Sequence, residues 1–276
     1  MNHTPETQQE RRIYLIQNLL NEDAQYQSIV IPESEVEQKQ LLRALFNLRP
    51  PMPVSPDFLA VQDEYLTAEK ERIGIVDACS LPTVPGNHRI FLWQGDITTL
   101  QADAIVNAAN SALLGCFRPL HSCIDNLIHS GSGIELRLCC NEIMQKQGHE
   151  EPAGQAKITP GYNLPAHYVL HTVGPVVQGA VTPEDEALLA SCYRSCLDLA
   201  QQQHLTSIAF CCISTGVFHF PNRRAAEIAV STVEGWLAGH NSEIRVIFDV
   251  YKDEDDAIYR ELLCGNREAE GKAGEC

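Results

Sequence analysis

Cys116, His121 and Cys123 fall within one short stretch, Gly115-Cys116-Phe117-Arg118-Pro119-Leu120-His121-Ser122-Cys123. Two thiols and an imidazole are zinc donors, and Pro119 stiffens the loop that spaces them. Three protein ligands with an open position mark a catalytic zinc, whereas a closed structural site would need a fourth, more distant cysteine. Two thiolates nearly neutralise the ion, so it would be a weaker Lewis acid than a three-histidine zinc. Asp125 follows immediately. Ser122-x-x-Asp125 ahead of Leu127-Ile128 has the form of a capping box. The same carboxylate, beside a metal, would orient water or accept a proton. A helix starting here would favour the Cys123 thiolate through its dipole.

The elements that must carry this loop are legible as alternating patterns. Ile90–Trp93 and Ala104–Val106 read as buried strands and Ile134–Gln147 as a helix. A strand over Tyr168–Val173, a long amphipathic helix over Glu184–Gln203 and a strand over Ser207–Ile213 follow. A helix over Asn222–Ala238, a strand over Ile244–Val250 and a last helix over Glu254–Leu263 complete the series. Such alternation predicts a largely parallel sheet covered by helices on both faces. Ligands of such sheets bind where loops leave the carboxyl ends of the strands. Residues 1–80 differ. Ile13, Leu15, Ile16, Leu19 and Leu20 lie at helical spacing, and Ser34–Leu48 and Pro56–Arg72 give two more helical patterns between prolines. We expect a helical N-terminal extension over 1–80, an α/β domain over 81–264 and a frayed polar tail over 265–276.

Composition sets the outer limits. A chain of 276 residues, 44% hydrophobic and 20% charged, buries an ordinary globular core. Its net charge of -16 argues against nucleic acid and anionic membranes as partners. A phosphorylated ligand would have to be held by backbone amides and helix ends. The 11 cysteines include the adjacent pairs Cys139-Cys140 and Cys211-Cys212, which suit reduced thiols packed in a cytoplasmic protein better than a disulfide framework. The start Met1-Asn2-His3-Thr4-Pro5 lacks a secretory layout, and no apolar run approaches the roughly 18 residues of a membrane span.

Four motifs then fall at strand ends: Gly95-Asp96-Ile97-Thr98, Asn107-Ala108-Ala109-Asn110, Ser214-Thr215-Gly216-Val217-Phe218-His219-Phe220-Pro221, and Phe248-Asp249-Val250-Tyr251. In this order and at these boundaries they resemble the macrodomain family, the ADP-ribose-binding fold, over about residues 89–263, and the resemblance implies a three-layer α/β/α sandwich with a mixed, mostly parallel sheet. Ile124-Asp125-Asn126-Leu127-Ile128-His129 is similar to the end of the glycine-rich stretch of MacroD-type hydrolases, with the glycines replaced by the Cys/His cluster. That pattern, with a helical extension, resembles the zinc-dependent macrodomain hydrolases of microbes. Some of these are associated with a sirtuin-like ADP-ribosyltransferase and a lipoyl-carrier protein related to the glycine cleavage system.

The resemblance implies one zinc ion per chain and removal of mono-ADP-ribose from modified protein side chains. It implies that Asp96 accepts a hydrogen bond from the adenine amino group with Ile97 nearby, and that Tyr251 stacks on adenine. Asn110 would face the distal ribose and share the catalytic role with Asp125, while Asn107 would hold that loop. Ser214 and the backbone amides of Thr215, Gly216, Val217 and Phe218 would cradle the diphosphate. His219 departs from the aromatic residue common in the family. Asn107 and Asn110 could equally be turn residues, and Tyr251 an exposed tyrosine. Ser130-Gly131-Ser132-Gly133 reads as a helix break. His129, His149, His167, His171, His204 and His240 have no spacing that singles them out. A reader that binds ADP-ribose without cleaving it, and a hydrolase of O-acetyl-ADP-ribose, are the competing functions.

Overall fold

The computed structural model describes residues 5–265. Gly265 apart, the tail expected over 265–276 lies outside the described residues, as does the start at 1–4 on which the leader reading drew.

The chain opens with three helices, α1 (Gln8–Asn21), α2 (Glu35–Leu48) and α3 (Pro56–Ile73). Thr7 caps α1 with a complete capping box, and Ser55 followed by Pro56 starts α3. Their apolar faces meet in a cluster of their own that includes Leu15, Ile16, Leu42, Phe46, Phe58 and Tyr65. Ile134, from the next part of the chain, inserts into that cluster. The extension is therefore docked rather than tethered.

The strands are β1 (Val76–Asp77), β2 (Thr83–Val84), β3 (Asn87–Gln94), β4 (Leu100–Gln101), β5 (Ala104–Ala109), β6 (Ala156–Pro160), β7 (Tyr168–Val173), β8 (Ser207–Phe210) and β9 (Arg245–Val250). The helices between and after them are α4 (Ile124–Ser132), α5 (Ile134–Gln147), α6 (Pro183–Gln202), α7 (Asn222–Gly239) and α8 (Asp253–Arg260). Seven strands form one sheet in the order β2-β3-β9-β8-β5-β7-β6, and β1 pairs with β4 alone. The inner pairs β3–β9, β9–β8, β8–β5 and β5–β7 are parallel; β2 and β6 join antiparallel at the edges. Every residue of β8 is buried, as are nearly all of β5, β7 and β9. Successive strand side chains point to opposite faces, so burial of all of them requires helices on both sides. The largely parallel sheet expected from the alternation forms, and its antiparallel edges make it the mixed sheet that the resemblance implies.

Several boundaries moved. The strand expected through Ile213 ends at Phe210, where Cys211–Phe220 leave the sheet as a loop. The edge strand β6 went unread because Ala156-Lys157-Ile158-Thr159-Pro160 alternates over only five residues and ends in proline. The break expected across Ser130–Gly133 narrows to Gly133, whose φ of 96 ends α4 and permits α5 to start at once. Among the described residues every cysteine is a free thiol, and no helix is long and apolar enough to cross a membrane.

Candidate functional site

β5 ends in Asn107-Ala108-Ala109, and the chain then runs without regular structure from Asn110 to Cys123, where α4 begins. Gly115, at φ 77, turns this loop back over the buried His129 ring, which a Cβ there would meet at 2.7 Å. The donors of Cys116, His121 and Cys123 then lie within 4.8 Å of one another, each half-buried. Sulfur and nitrogen bound tetrahedrally to one zinc ion, at the usual bond lengths, stand about 3.5 Å apart. Cys116 Sγ and His121 Nδ1 are 3.6 Å apart. The donor set fits the ion and supplies three of the four ligands that zinc usually takes. Without metal, burial pushes the Cys123 thiol up to about 12, helped by the nearby Cys116 and Asp125 and against a backbone hydrogen bond at Asn126. The backbone bond at the helix start does pull toward the thiolate, but burial outweighs it in the metal-free protein.

The capping box is absent. Cys123, not Ser122, is the N-cap of α4, and no side chain caps it. Asp125 instead turns inward and is buried. Its Oδ1 accepts from Asn107 Nδ2 at 2.8 Å and its Oδ2 from Asn110 Nδ2 at 3.2 Å. Amide donors held rigidly at the end of β5 compete better for the carboxylate than a frayed helix start would. Burial raises this carboxyl to about 6, while the Asn107 hydrogen bond and the Arg137 charge pull it back. A base with that pKa is mostly ionised at neutral pH and able to return a proton.

Beneath Asp125 a second donor set comes together: His129, Cys140 and His171, all buried, with ligand atoms again within 4.8 Å. Sequence spacing had singled out neither histidine. The available signal was Asp125-x-x-x-His129, which a helix places on one face. Asn107, which faces His171 across the parallel β5–β7 ladder, donates its second amide hydrogen to His171 Nδ1 at 3.1 Å. A flipped amide would set its oxygen against the Asp125 carboxylate, so this orientation is fixed. The ring proton of His171 is then on Nε2, 2.9 Å from Thr159 Oγ1, and that nitrogen has no lone pair to give an ion. Burial holds His171 down at about 4 and His129 well below its usual value, so both rings are neutral. His171 supports Asp125 through Asn107, whereas neither ring nitrogen of His129 has a hydrogen-bond partner among the described residues, its Nε2 standing 3.5 Å from Asp125 Oδ1.

The remaining residues line the same strand-end edge. Asp96 caps a 3-10 turn over Ile97–Thr99, its Oδ1 accepting from the Thr98 amide at 2.9 Å and hydroxyl at 2.7 Å. Its Oδ2 makes no hydrogen bond among the described residues. Ile97 is buried under the turn, and Tyr251 is 77% exposed, so its ring is free to stack on a ligand. Asp249 was missed, although an acid inside the apolar run Ile244–Val250 was a signal. It is buried, and burial followed by the charge of Asp96 holds its carboxyl well above the ordinary range.

In the loop after β8, the amides of Gly216, Val217 and Phe218 find no acceptor among the described residues, whereas that of Thr215 reaches the Cys212 carbonyl at a long 3.5 Å. A Cβ on Gly216 would meet nothing within 4 Å. The buried Ser214 hydroxyl is unpaired beside them. Consecutive amides without acceptors are the kind of group that can receive an anion with no basic patch.

A family model of the Macro domain matches residues 106–229. A protein-ADP-ribose hydrolase of Treponema medium is 54% identical over 259 residues, spanning 93% of this chain and 99% of that protein. A protein-ADP-ribose hydrolase of Staphylococcus aureus (strain MRSA252) is 51% identical over 258 residues, spanning 93% and 96%. Among solved structures, the Trypanosoma brucei macrodomain in complex with ADP-ribose superposes with a TM-score of 0.63 at 30% identity, covering 84% of this chain and 96% of that one.

Proposed function

The chain belongs to the macro domain family, and from that premise we propose that it hydrolyses the bond between the distal ribose of ADP-ribose and a protein side chain, with one zinc ion held by Cys116, His121 and Cys123. The observation that carries the reading is the convergence of those donors, the Asp125 carboxylate and the free amides after β8 on one edge of the sheet. The names of its relatives as protein-ADP-ribose hydrolases support it.

In this reading the free Asp96 Oδ2 accepts from the adenine amino group, with the Ile97 backbone nearby, and Tyr251 covers the ring. Ser214, Thr215, Gly216, Val217 and Phe218 hold the diphosphate. That anchorage, remote from the chemistry, delivers the distal ribose to Asn110 with little further loss of freedom. Asn107 fixes Asp125, and Asp125 orients the attacking water and takes its proton. When bound, zinc supplies a Lewis acid that polarises an oxygen or lowers the pKa of bound water. Water adds across the ribose–protein bond, releasing ADP-ribose and the unmodified side chain. We divide the chain as an extension over 1–80 serving a catalytic domain over 81–264, working in the cytoplasm, where its free thiols stay reduced. A lipoyl-carrier protein modified by a sirtuin-like ADP-ribosyltransferase is the substrate to test first.

Release of ADP-ribose from modified proteins, measured before and after chelation and with Cys123→Ala, tests this. Activity should be lost in both cases. Full turnover in a metal-free preparation would eliminate the zinc reading. Tight ADP-ribose binding with no turnover on any modified protein would make the chain a reader, and preferential cleavage of O-acetyl-ADP-ribose would make it a small-molecule esterase.

A further inference from the structure

The loop that carries the metal donors has almost no hydrogen bonding of its own; from Arg118 to Cys123 its internal backbone bond is His121 N to Arg118 O at 3.3 Å. Its order comes from outside. Arg43, on α2 of the N-terminal extension, donates from Nη2 to the His121 carbonyl at 2.5 Å and to Asn126 Oδ1 at 2.8 Å. Asn126 is fully buried, and its Nδ2 donates to the carbonyls of Cys116 at 3.3 Å and Arg118 at 3.0 Å. One turn further along α2, Asn47 Oδ1 accepts from the Leu120 amide at 3.0 Å, and its Nδ2 donates to Ser130 Oγ at 2.9 Å. Leu120 sits at φ 57, a conformation costly for leucine, which an anchored amide helps to hold.

We propose that Arg43 is the positioning residue of the metal loop, fixing the backbone of His121 directly and that of Cys116 through Asn126, so that the helical extension completes a site whose ligands lie outside it. This rests on the zinc reading above. The bland alternative is that Arg43 merely glues the extension to the domain. Two observations speak against it. Arg43 Nε is buried without an acceptor, a cost that simple docking would not retain. The extension is also docked elsewhere, by Lys70 Nζ to Thr98 Oγ1 at 2.7 Å, Gln62 Oε1 to the Ile134 amide at 2.9 Å and Asp63 Oδ1 to Asn163 Nδ2 at 2.8 Å. Those anchors should keep the extension docked when Arg43 is replaced. Groups that orient metal ligands from behind typically contribute about 10–100-fold to metal affinity.

The experiment uses the full chain and compares wild type, Arg43→Ala and Arg43→Lys. Zinc affinity is measured by competition with a chromophoric chelator, amide exchange is followed over residues 115–126, and ADP-ribose affinity is read by calorimetry. Arg43→Ala should bind zinc about 10–100-fold more weakly and exchange faster across the loop, with ADP-ribose affinity within about threefold of wild type. Arg43→Lys, which keeps a donor in place, should recover part of the zinc affinity. Zinc affinity within about twofold of wild type in Arg43→Ala, with unchanged loop exchange, overturns the proposal alone. A wild-type chain that takes up no zinc brings down the metal reading together with it.

Discussion

Asn107 and Asn110 both donate to Asp125, yet their replacement should separate cleanly. Asn107 is fully buried and spends both amide hydrogens, one on Asp125 Oδ1 at 2.8 Å and one on His171 Nδ1 at 3.1 Å. Losing the bond to an ionised carboxylate costs about 1.5–3 kcal/mol and the bond to a neutral ring about 1 kcal/mol. The Asn107 oxygen is itself buried without a partner, so removing it returns about 1 kcal/mol. Asn107→Ala should therefore cost about 1.5–3 kcal/mol, a fall in Tm of roughly 3–12 °C. Asn110 is only half-buried, and water can replace its amide, so Asn110→Ala should cost about 1 kcal/mol or less while abolishing most turnover. Urea unfolding and ADP-ribose release, run on both variants, give the comparison. With Asn107 gone, the strongest influence holding the Asp125 carboxyl down is lost, so the acid limb of activity should also move upward from about 6. Equal destabilisation by the two variants, or a cost below about 1 kcal/mol for Asn107→Ala, would refute the assignment of one asparagine to the scaffold and the other to the ligand.

Gly216→Val should leave Tm unchanged, because a Cβ there meets nothing within 4 Å, yet weaken ADP-ribose binding more than about tenfold by filling the anion cradle; an unchanged calorimetric affinity would move the diphosphate elsewhere. Arg137→Met strips donors from the carbonyls of Leu114, Phe46 and Asn47 at 2.7, 2.9 and 3.0 Å, and should cost roughly 3–5 kcal/mol in urea unfolding. A loss below about 1 kcal/mol would show those carbonyls to be rehydrated. The folded pKa of His171, about 4, lies below its unfolded value, so the unfolded chain binds the proton first and the stability tied to the neutral ring is lost as pH falls from about 6.5 toward 4. The stability gap between wild type and His171→Gln in metal-free protein should narrow by roughly 3 kcal/mol over that range; parallel curves would mean that the ring is not held neutral.

The helices and inner strands were legible because each repeats one period over enough residues to outvote its exceptions, as in Tyr168–Val173 and Ile134–Gln147, both of which form as read. The edge strand β6 was not, since its alternation spans only five residues and ends in proline. Cys116, His121 and Cys123 could be picked out because they lie close in sequence, so any compact loop brings them together. Asp125 was found, but its partners were misassigned: the capping box is a local rule, and the competing donors arrive from a strand eighteen positions away in Asn107.

What the sequence determined alone is therefore whatever is set by near neighbours: the periods of helices and strands, the strand-end motifs, and the ligand loop. Tertiary structure decided the rest. It chose which carboxylate oxygen meets which amide, drew Cys140 and His171 in beside His129, and set Arg43 against His121 across a sequence gap of 78. The reason is that a buried polar group must find a partner wherever packing supplies one, and packing joins residues without regard to their distance along the chain.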